Sequence, residues 1–494
     1  MIYEIRNRLP LKNQNLFNSL YASKEGVYDE FVSQQLQVRA QYDVLSKQFS
    51  EYQTKDYCKF NEEAKIVFFN EGITFAVYSD NPQGSEKIFP FDFIPRIIPH
   101  DEWTKIEKGV IQRNIAINEF LKDLYHEKRI LKEGIVPKEL IYSSVNMNPV
   151  MEGFMPKGGI YNHISGTDII RHSDGEYYVL EDNVRCPSGV SYVLANRNTL
   201  KKTFPKLFSK CQPQSTQGYP EHLLTMLQSV TPGVSAPNCV VLTPGMYNSA
   251  YFEHSFLAQS MGVELVEGRD LFVKNDVVFM KTIHGPQRVH VIYRRIDDPY
   301  LDPLIFNPDS VLGTPGLMSA YLAGNVTLVN APGTGVADDK AVYAYMPEII
   351  KYYLGEEQIL KNVRTYRCGE EDDYKYVIDN IDKLVVKPVD ESGGYGIHIG
   401  NTLSKEKIEE VKNIIRSDRR KYIAQPILSL SVHPTFIEGD NTIEPRHIDL
   451  RTFCLLGNNT QYVLPGGLTR VALKRGNLIV NSSQGGGSKD TWVL

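Results

Sequence analysis

The stretch TDIIRHSDGEYYVLEDNVRCPSGVSY, residues 167–192, decides how this chain is read. Asp174-Gly175 suits a two-residue type I′ turn, and the runs on either side read as the two strands of a hairpin. With those residues at the turn centre, Asp168 lies directly opposite Glu181. Like charges facing each other across a ladder are unfavourable unless something compensates. Asn183 projects from the same face as Glu181, and Tyr178 and Leu180 from the other. Two carboxylates and an amide oxygen are hard donors that suit Mg²⁺, which keeps waters and takes phosphate oxygens to complete its shell. Acids also decorate solvated hairpin faces. Here that alternative weakens, because CPSG opens a Pro/Gly turn directly after the strand. The metal reading requires a phosphate-handling site elsewhere in the chain.

No Walker A motif exists, since Gly-Lys occurs nowhere. GTGVAD at 333–338 follows a strand but lacks the third glycine of a dinucleotide fingerprint. The helix after it has Asp338 and Asp339 as candidate caps, and Lys340 in its first turn, where a cation is electrostatically unfavourable. A phosphate ligand would give that lysine a reason. The stronger candidate is KLVVKPVDESGGYGIHIG, residues 383–400. Lys387 stands on an otherwise apolar strand, and Gly393, Gly394 and Gly396 allow close backbone approach to an anion. Further on, KYIAQPILS offers backbone groups to a base. HIDLRTFCLLG carries Arg451, and LTRVALKRGNLIVNSSQGGG carries Arg470 and Asn481.

The bulk numbers exclude several classes. At 494 residues, 42% hydrophobic and 23% charged, the chain reads as a globular protein of two to four subdomains. A formal charge of -5 offers no basic field for nucleic acid or anionic lipid. No run approaches the ~20 apolar residues of a membrane span, and MIYEIRNRLP has no apolar signal region. Cysteines 58, 186, 211, 239, 368 and 454 lack metal spacing and read as reduced thiols, so a cytoplasmic location is expected.

Residues 12–55 carry apolar positions such as Phe17, Tyr21, Val27, Phe31 and Leu36 at helix-like intervals, with short strands expected around KIVFFNEGITFAVYSD. A second helical pattern runs over 102–131. From 238 the order strand–helix–strand (CVVLTPG, SAYFEHSFLAQSMG, VELVEG), then VHVIYRR and VTLVNAPG, is a doubly wound α/β signature. After 384 the chain turns to strands and Gly-rich loops around one helix near 404–417.

Taken together, GTDIIR…VLEDNVRCPSGVSYV, GTGVADDK and VVKPVDESGGYGI resemble the ATP-grasp superfamily. They are most similar to its circularly permuted branch, as in the synthetase domain of glutathionylspermidine synthase. The usual order ends on the acid…Glu-x-Asn metal strands; here those strands come first. The resemblance implies an α/β fold with α+β elements and four parts. These are a helical N-terminal region (1–150), a metal-hairpin part (151–235), a pre-ATP-grasp α/β substrate subdomain (236–335) and the nucleotide-binding remainder (336–494). It implies ATP and Mg²⁺, with the metal on Asp168, Glu181 and Asn183. Nucleotide contacts fall to Lys340, Lys387, Ser392, Gly393, Gly394, Tyr395, Gly396, Gln425, Pro426, Ile427 and Asn481. Gln425 departs from the acid that many relatives carry in the adenine linker. Arg451, Arg470 and Arg185 are catalytic candidates. Arg294, Arg295 and Ser188 are substrate candidates, although an arginine at a strand end is as often an ion pair. The permutation predicts that the Lys387 and Glu181 strands share one cleft.

The implied activity is an ATP-dependent carboxylate–amine ligation through an acyl phosphate. Its partners would be a small-molecule or peptide acid and an amine, with no nucleic acid or membrane and a homo-oligomer possible. Cys186 is not needed as a nucleophile. A phosphotransferase and a nucleotide-binding scaffold are the rival readings; amine-dependent ADP release separates the ligase from the phosphotransferase, and slow, amine-independent release with tight ATP binding points to the scaffold.

Overall fold

The computed structural model describes residues 21, 26–77, 85–231, 233–390, 396–473, 480 and 486–494. Among these, a nine-stranded sheet organises the molecule. Its strands run in the order Lys361–Asn362, Tyr177–Asn183, Ile164–Arg171, Thr442–Gly457, Leu468–Val471, Gly487–Val493 and Phe91–Ile98. Val432–Ile437 and Thr460–Val463 also pair with Thr442–Gly457. The edge strand Phe91–Ile98 runs parallel to Gly487–Val493 near the other end of the chain. This sheet therefore draws on three of the four expected parts, and only 236–335 contributes nothing to it.

The register sets charged side chains in rows. Asp168 pairs with Glu181 on one side and Arg451 on the other, and Asp449 pairs with Arg470 two positions along. Because side chains alternate along a strand, all five share a face. Thr167 and Asp182 take the opposite face, where Arg113 of the helix His100–Tyr125 reaches Asp182 at 2.5 Å.

The expected hairpin forms, but its turn differs. His172 N donates to Glu176 O (3.0 Å) and Gly175 N to His172 O (2.9 Å), which leaves a three-residue loop, Ser173–Gly175. Gly175 occupies the left-handed region at φ +83°, the glycine-bulge position of such loops. The longer loop would slip the register by one and turn Glu181 to the wrong face. A bulge at Leu180, between the Asp168–Glu181 and Ile169–Val179 pairs, restores it.

Residues 236–335 carry a parallel sheet ordered Thr327–Val329, Val291–Arg294, Cys239–Leu242, Glu264–Val266, as the doubly wound pattern predicts. A third, antiparallel sheet joins Tyr366–Arg367, Tyr422–Pro426, Leu384–Pro388 and His398–Ile399. The helix Lys405–Ser417, capped by Ser404, covers it through Val411 and Ile415, which pack with Val386 and Ala424.

Two local expectations hold only in part: TFAV forms a strand, Thr74–Val77, and Asp43–Phe49 a helix, but the neighbouring segments differ. KIVFFN continues a helix, Thr54–Asn70, which begins in a capping box between Gln53 and Asp56; a short apolar run does not by itself distinguish helix from strand. Residues 26–39 are not helical. Asp29 bridges to Val432, and tertiary contacts of Tyr28, Glu30 and Phe31 replace helix formation. The described helices include none long and apolar enough to cross a membrane, and no cysteine is in a disulfide.

Candidate functional site

The hairpin Ile164–Asn183, the helix turn at Lys340 and the end of strand Leu384–Pro388 meet at a narrow cleft. Glu181, Asn183, Arg185, Asp338, Lys340 and Asp390 line it. Lys340 Nζ lies 3.6 Å from Glu181 Oε2, and the Lys340 amide donates to Val389 O (3.1 Å), just beyond the Lys387 strand. Segments about 200 residues apart thus share one cleft.

Asp339 explains the position of Lys340. It caps the helix Lys340–Tyr343 through the Ala341 amide (2.9 Å) and binds Arg420 at 2.6 Å. Asp338 turns to the hairpin instead, accepting from the Val184 amide and from Arg185 Nε (2.6 Å). Burial raises the Asp338 carboxyl above the usual range despite Arg185. Gly335 makes room for Arg185: a Cβ there would stand 2.7 Å from Arg185 Cδ. With Nε engaged, the outer edge of this guanidinium has no hydrogen-bond partner among the described residues and borders the cleft.

Asp168 sits apart from the cleft wall, 2% exposed. Arg451 clamps it at 2.6 and 2.8 Å, and Arg470 adds a bond at 2.8 Å while also holding Asp449. Burial alone would raise the Asp168 carboxyl; Arg451 and Arg470 overcome this and hold it well below the usual carboxylate range. The compensation that the facing acids require is therefore two arginines, with Lys340 beside Glu181. Of the three expected metal donors, the structure brings Glu181 and Asn183 to the cleft and commits Asp168 to the arginines. Asn183 Nδ2 donates to Gly166 O (3.2 Å), which leaves its oxygen as the acceptor. One carboxylate, one amide oxygen and water remain a suitable set for Mg²⁺.

Lys387 Nζ donates to Gln425 Oε1 (2.7 Å), whose Nε2 donates to Thr365 (2.9 Å). Gln425 is thus a buried lysine-orienting group. Ile427 spends its amide on Lys383 O, and Pro426 pairs with Leu384. Burial lowers Lys387 to about 8, with Lys340 adding to the shift and Glu181 and Asp168 opposing it. Its folded value lies below the ordinary lysine range, so the native protein binds fewer protons than the unfolded chain just above pH ~8. Burying this ammonium costs stability below that pH, and the cost is relieved as pH rises. Affinity for an anionic ligand at Lys387 moves the other way. An anion held there, probed with inorganic triphosphate, is expected to bind several-fold more weakly at pH ~9 than at pH ~7, and Lys387→Arg, always protonated, to flatten that slope. Titration calorimetry at both pH values checks this; equal slopes would remove Lys387 from the anion site.

Gly396 has φ +69°. Ser392, Gly393, Gly394, Tyr395 and Asn481 lie outside the described residues.

The substrate expectation for Arg294 and Arg295 is corrected. Arg294, 1% exposed, donates to Asn330 O (2.7 Å) and Ile296 O (2.7 Å) and pairs with Asp298 (2.8 Å). Arg295 holds Pro187 O (2.7 Å) and Glu253 (2.8 Å), whose other oxygen accepts from the Gly189 and Ser191 amides. Both guanidiniums are spent inside the protein. Arg295 fastens the CPSG turn at Pro187, and the backbone oxygen of Ser188 accepts from Arg451 (3.4 Å). Burial pushes the Cys186 thiol up, so a thiolate nucleophile is disfavoured there.

One positioning residue escaped the sequence reading. Asn330 accepts from the His163 and Ile164 amides (2.7 and 2.8 Å) and donates to Ile164 O and Val184 O (2.7 and 2.9 Å), tying both hairpin strands to the parallel sheet. Its place just past a parallel strand's carboxyl end was the available signal.

A lysine-bearing sheet and a carboxylate–amide hairpin close on one cleft, the arrangement that the ATP-grasp resemblance leads one to expect. A family model, circularly permuted ATP-grasp type 2, matches residues 95–472, and the chain belongs to that family. A Synechocystis protein is 52% identical over 468 residues, covering 94% of this chain and 97% of its own. A Mycobacterium tuberculosis protein is 46% identical over 497 residues, 99% and 88% of the two chains. A Frankia casuarinae protein named putative glutamate–cysteine ligase 2-2 is 39% identical over 469 residues; the match covers 94% of this chain but 53% of that one. Among solved structures, a glutathione synthetase-like effector from Globodera pallida superposes with a TM-score of 0.58 at 11% identity, covering 90% and 98% of the two chains. That likeness concerns the fold.

Proposed function

We propose that the protein is an ATP-dependent carboxylate–amine ligase working through an acyl phosphate. The observation that carries this is the meeting of Lys340, Glu181, Asn183 and Arg185 in one cleft beside Lys387, in a chain of the ATP-grasp family. Glu181 and Asn183 would hold Mg²⁺, which when bound neutralises phosphate charge. Lys387 and Lys340 bind the phosphates of ATP. The acid's carboxylate oxygen attacks the terminal phosphorus and ADP leaves; the amine then attacks the acyl carbon, phosphate leaves, and the amine proton passes to solvent. In-line transfer of this kind needs positioning and charge neutralisation, which lysines and arginines supply. The outer edge of Arg185 is placed to hold an oxyanion of the acid or of the transferring group.

The Frankia relative's name mentions glutamate and cysteine. About half of that relative has no counterpart in this chain, so neither substrate is carried across.

Hydroxylamine tests the reading. As a small amine it should intercept the activated acid, giving a hydroxamate and ADP in equal amounts when pools of amino acids or small peptides are supplied. ADP release without hydroxamate, in stoichiometric yield of a phosphorylated acceptor, would establish the phosphotransferase instead.

A further inference from the structure

Residues 366–424 form a lobe with a core of its own. Tyr366, Val386, Val411, Ile415 and Ala424 pack together there, and among the described residues nothing outside the lobe joins them. This lobe carries Lys387, on the strand Leu384–Pro388. It meets the rest of the protein along a narrow seam, where Val389 and Ile423 close on Ala341 and Leu140. Arg367 lies over the Tyr345 ring at 4.3 Å, and the Lys340 amide donates across the seam to Val389 O (3.1 Å).

The ion pair that crosses this seam among the described residues is Arg420–Asp339. Arg420 Nη2 donates to Asp339 Oδ2 (2.6 Å) and to Leu140 O (2.9 Å), and Nε donates to Ser143 Oγ (2.9 Å). The Asp339 side chain is 1% exposed and that of Arg420 23%, so the arginine can be shortened without hollowing a core. The other oxygen of Asp339 accepts from the Ala341 amide (2.9 Å), the cap that starts the helix of Lys340. One carboxylate therefore seats Lys340 and grips the lobe of Lys387.

We infer that Arg420 is a positioning residue: it holds the Lys387 lobe against Lys340 so that a chain of linked phosphates meets both lysines at once. The inference rests on the proposed nucleotide site and deepens it. Without the guanidinium, Asp339 is a buried carboxylate that has lost its cation, a costly state. Water relieves it by entering between Asp339 and the lobe, and the seam offers little apolar area to hold itself shut. The lobe keeps its own fold but no longer keeps one distance from Lys340. A ligand that spans both lysines must then restore that distance on binding, and its affinity falls by that cost.

A double-mutant cycle read with inorganic triphosphate tests this. Arg420→Met should weaken triphosphate binding about tenfold in the wild-type background and less than about twofold in Lys340→Ala, where there is no second lysine to hold in place. A merely structural loss would be the same in both backgrounds. Amide hydrogen exchange supplies the second readout. In Arg420→Met, peptides spanning 338–345 should exchange about tenfold faster as the Lys340–Val389 bond opens, while the lobe's own helix, 405–417, stays within about twofold. Arg420→Gln also removes the charge and serves if the Met variant does not fold. Unchanged triphosphate affinity, equal losses in the two backgrounds, or faster exchange throughout 405–417 would each overturn the inference. Should the wild-type protein bind no triphosphate, the nucleotide reading fails, while the exchange pattern still decides whether Arg420 holds the lobe.

Discussion

Glu181→Gln should lower Mg²⁺-dependent ADP release by roughly two to three orders of magnitude, the scale seen when one preorganised charge-stabilising group is removed. Glu181 is the hairpin carboxylate that faces the cleft, where we propose that it holds Mg²⁺, and Asn183 brings an uncharged oxygen beside it. Loss of its charge removes the anionic donor and the ion pair with Lys340 at 3.6 Å. Stability should change little, by less than about 1 kcal/mol, because the ion pairs of Glu181 at 3.6 and 3.9 Å are partly exposed. Relief of repulsion with Asp168 adds nothing, since Arg451 and Arg470 already neutralise that acid. ADP release over a range of Mg²⁺, with a thermal melt on the same samples, checks both statements. Normal turnover would remove Glu181 from the chemistry; a large drop in melting temperature would make it a structural acceptor.

What the sequence showed of this site is what local periodicity can show. The alternation around Asp174-Gly175 revealed the hairpin and placed Glu181 and Asn183 on one face. It also put Asp168 opposite Glu181, although two unforeseen features cancel: a loop one residue longer, and a bulge at Leu180. Lys340 and Lys387 stood out because a cation in a first helical turn or on an apolar strand asks for a reason. The partners of Asp168 were beyond such reasoning. Arg451 and Arg470 were noticed as candidates, but lie 283 and 302 residues away along the chain. No spacing rule says that they grip an acid expected to hold metal. Asn330 was missed for the same reason: it acts only through contacts that the fold creates. Residues 26–39 misled, since apolar positions at helix-like intervals also fit an extended segment anchored by Tyr28 and Phe31. Arg294 and Arg295 were left between two readings, and burial decided for the internal one.

Asp168→Asn should cost about 3–5 kcal/mol of stability. Asp168 accepts from Arg451 twice and from Arg470 once, at 2% exposure. An asparagine of the same shape offers one oxygen and turns an NH₂ toward guanidinium donors. Arg470 keeps Asp449, but Arg451 keeps only Glu181 at 3.9 Å and the Ser188 carbonyl at 3.4 Å. A buried cation losing its partner bears the full desolvation cost, which isosteric replacement does not lessen. The pH dependence supplies an independent check. The folded carboxyl of Asp168 lies well below its unfolded value, so its contribution is full above the unfolded carboxylate range and is lost as pH falls through that range toward the folded value. Wild-type stability in urea should therefore fall on acidification by more than that of Asp168→Asn, which has nothing to protonate at this position. A loss under about 1 kcal/mol at neutral pH would mean that Arg451 turns to Glu181 instead. In that case the cleft would close its own metal site, and Glu181 would be neutralised by arginine rather than kept for Mg²⁺.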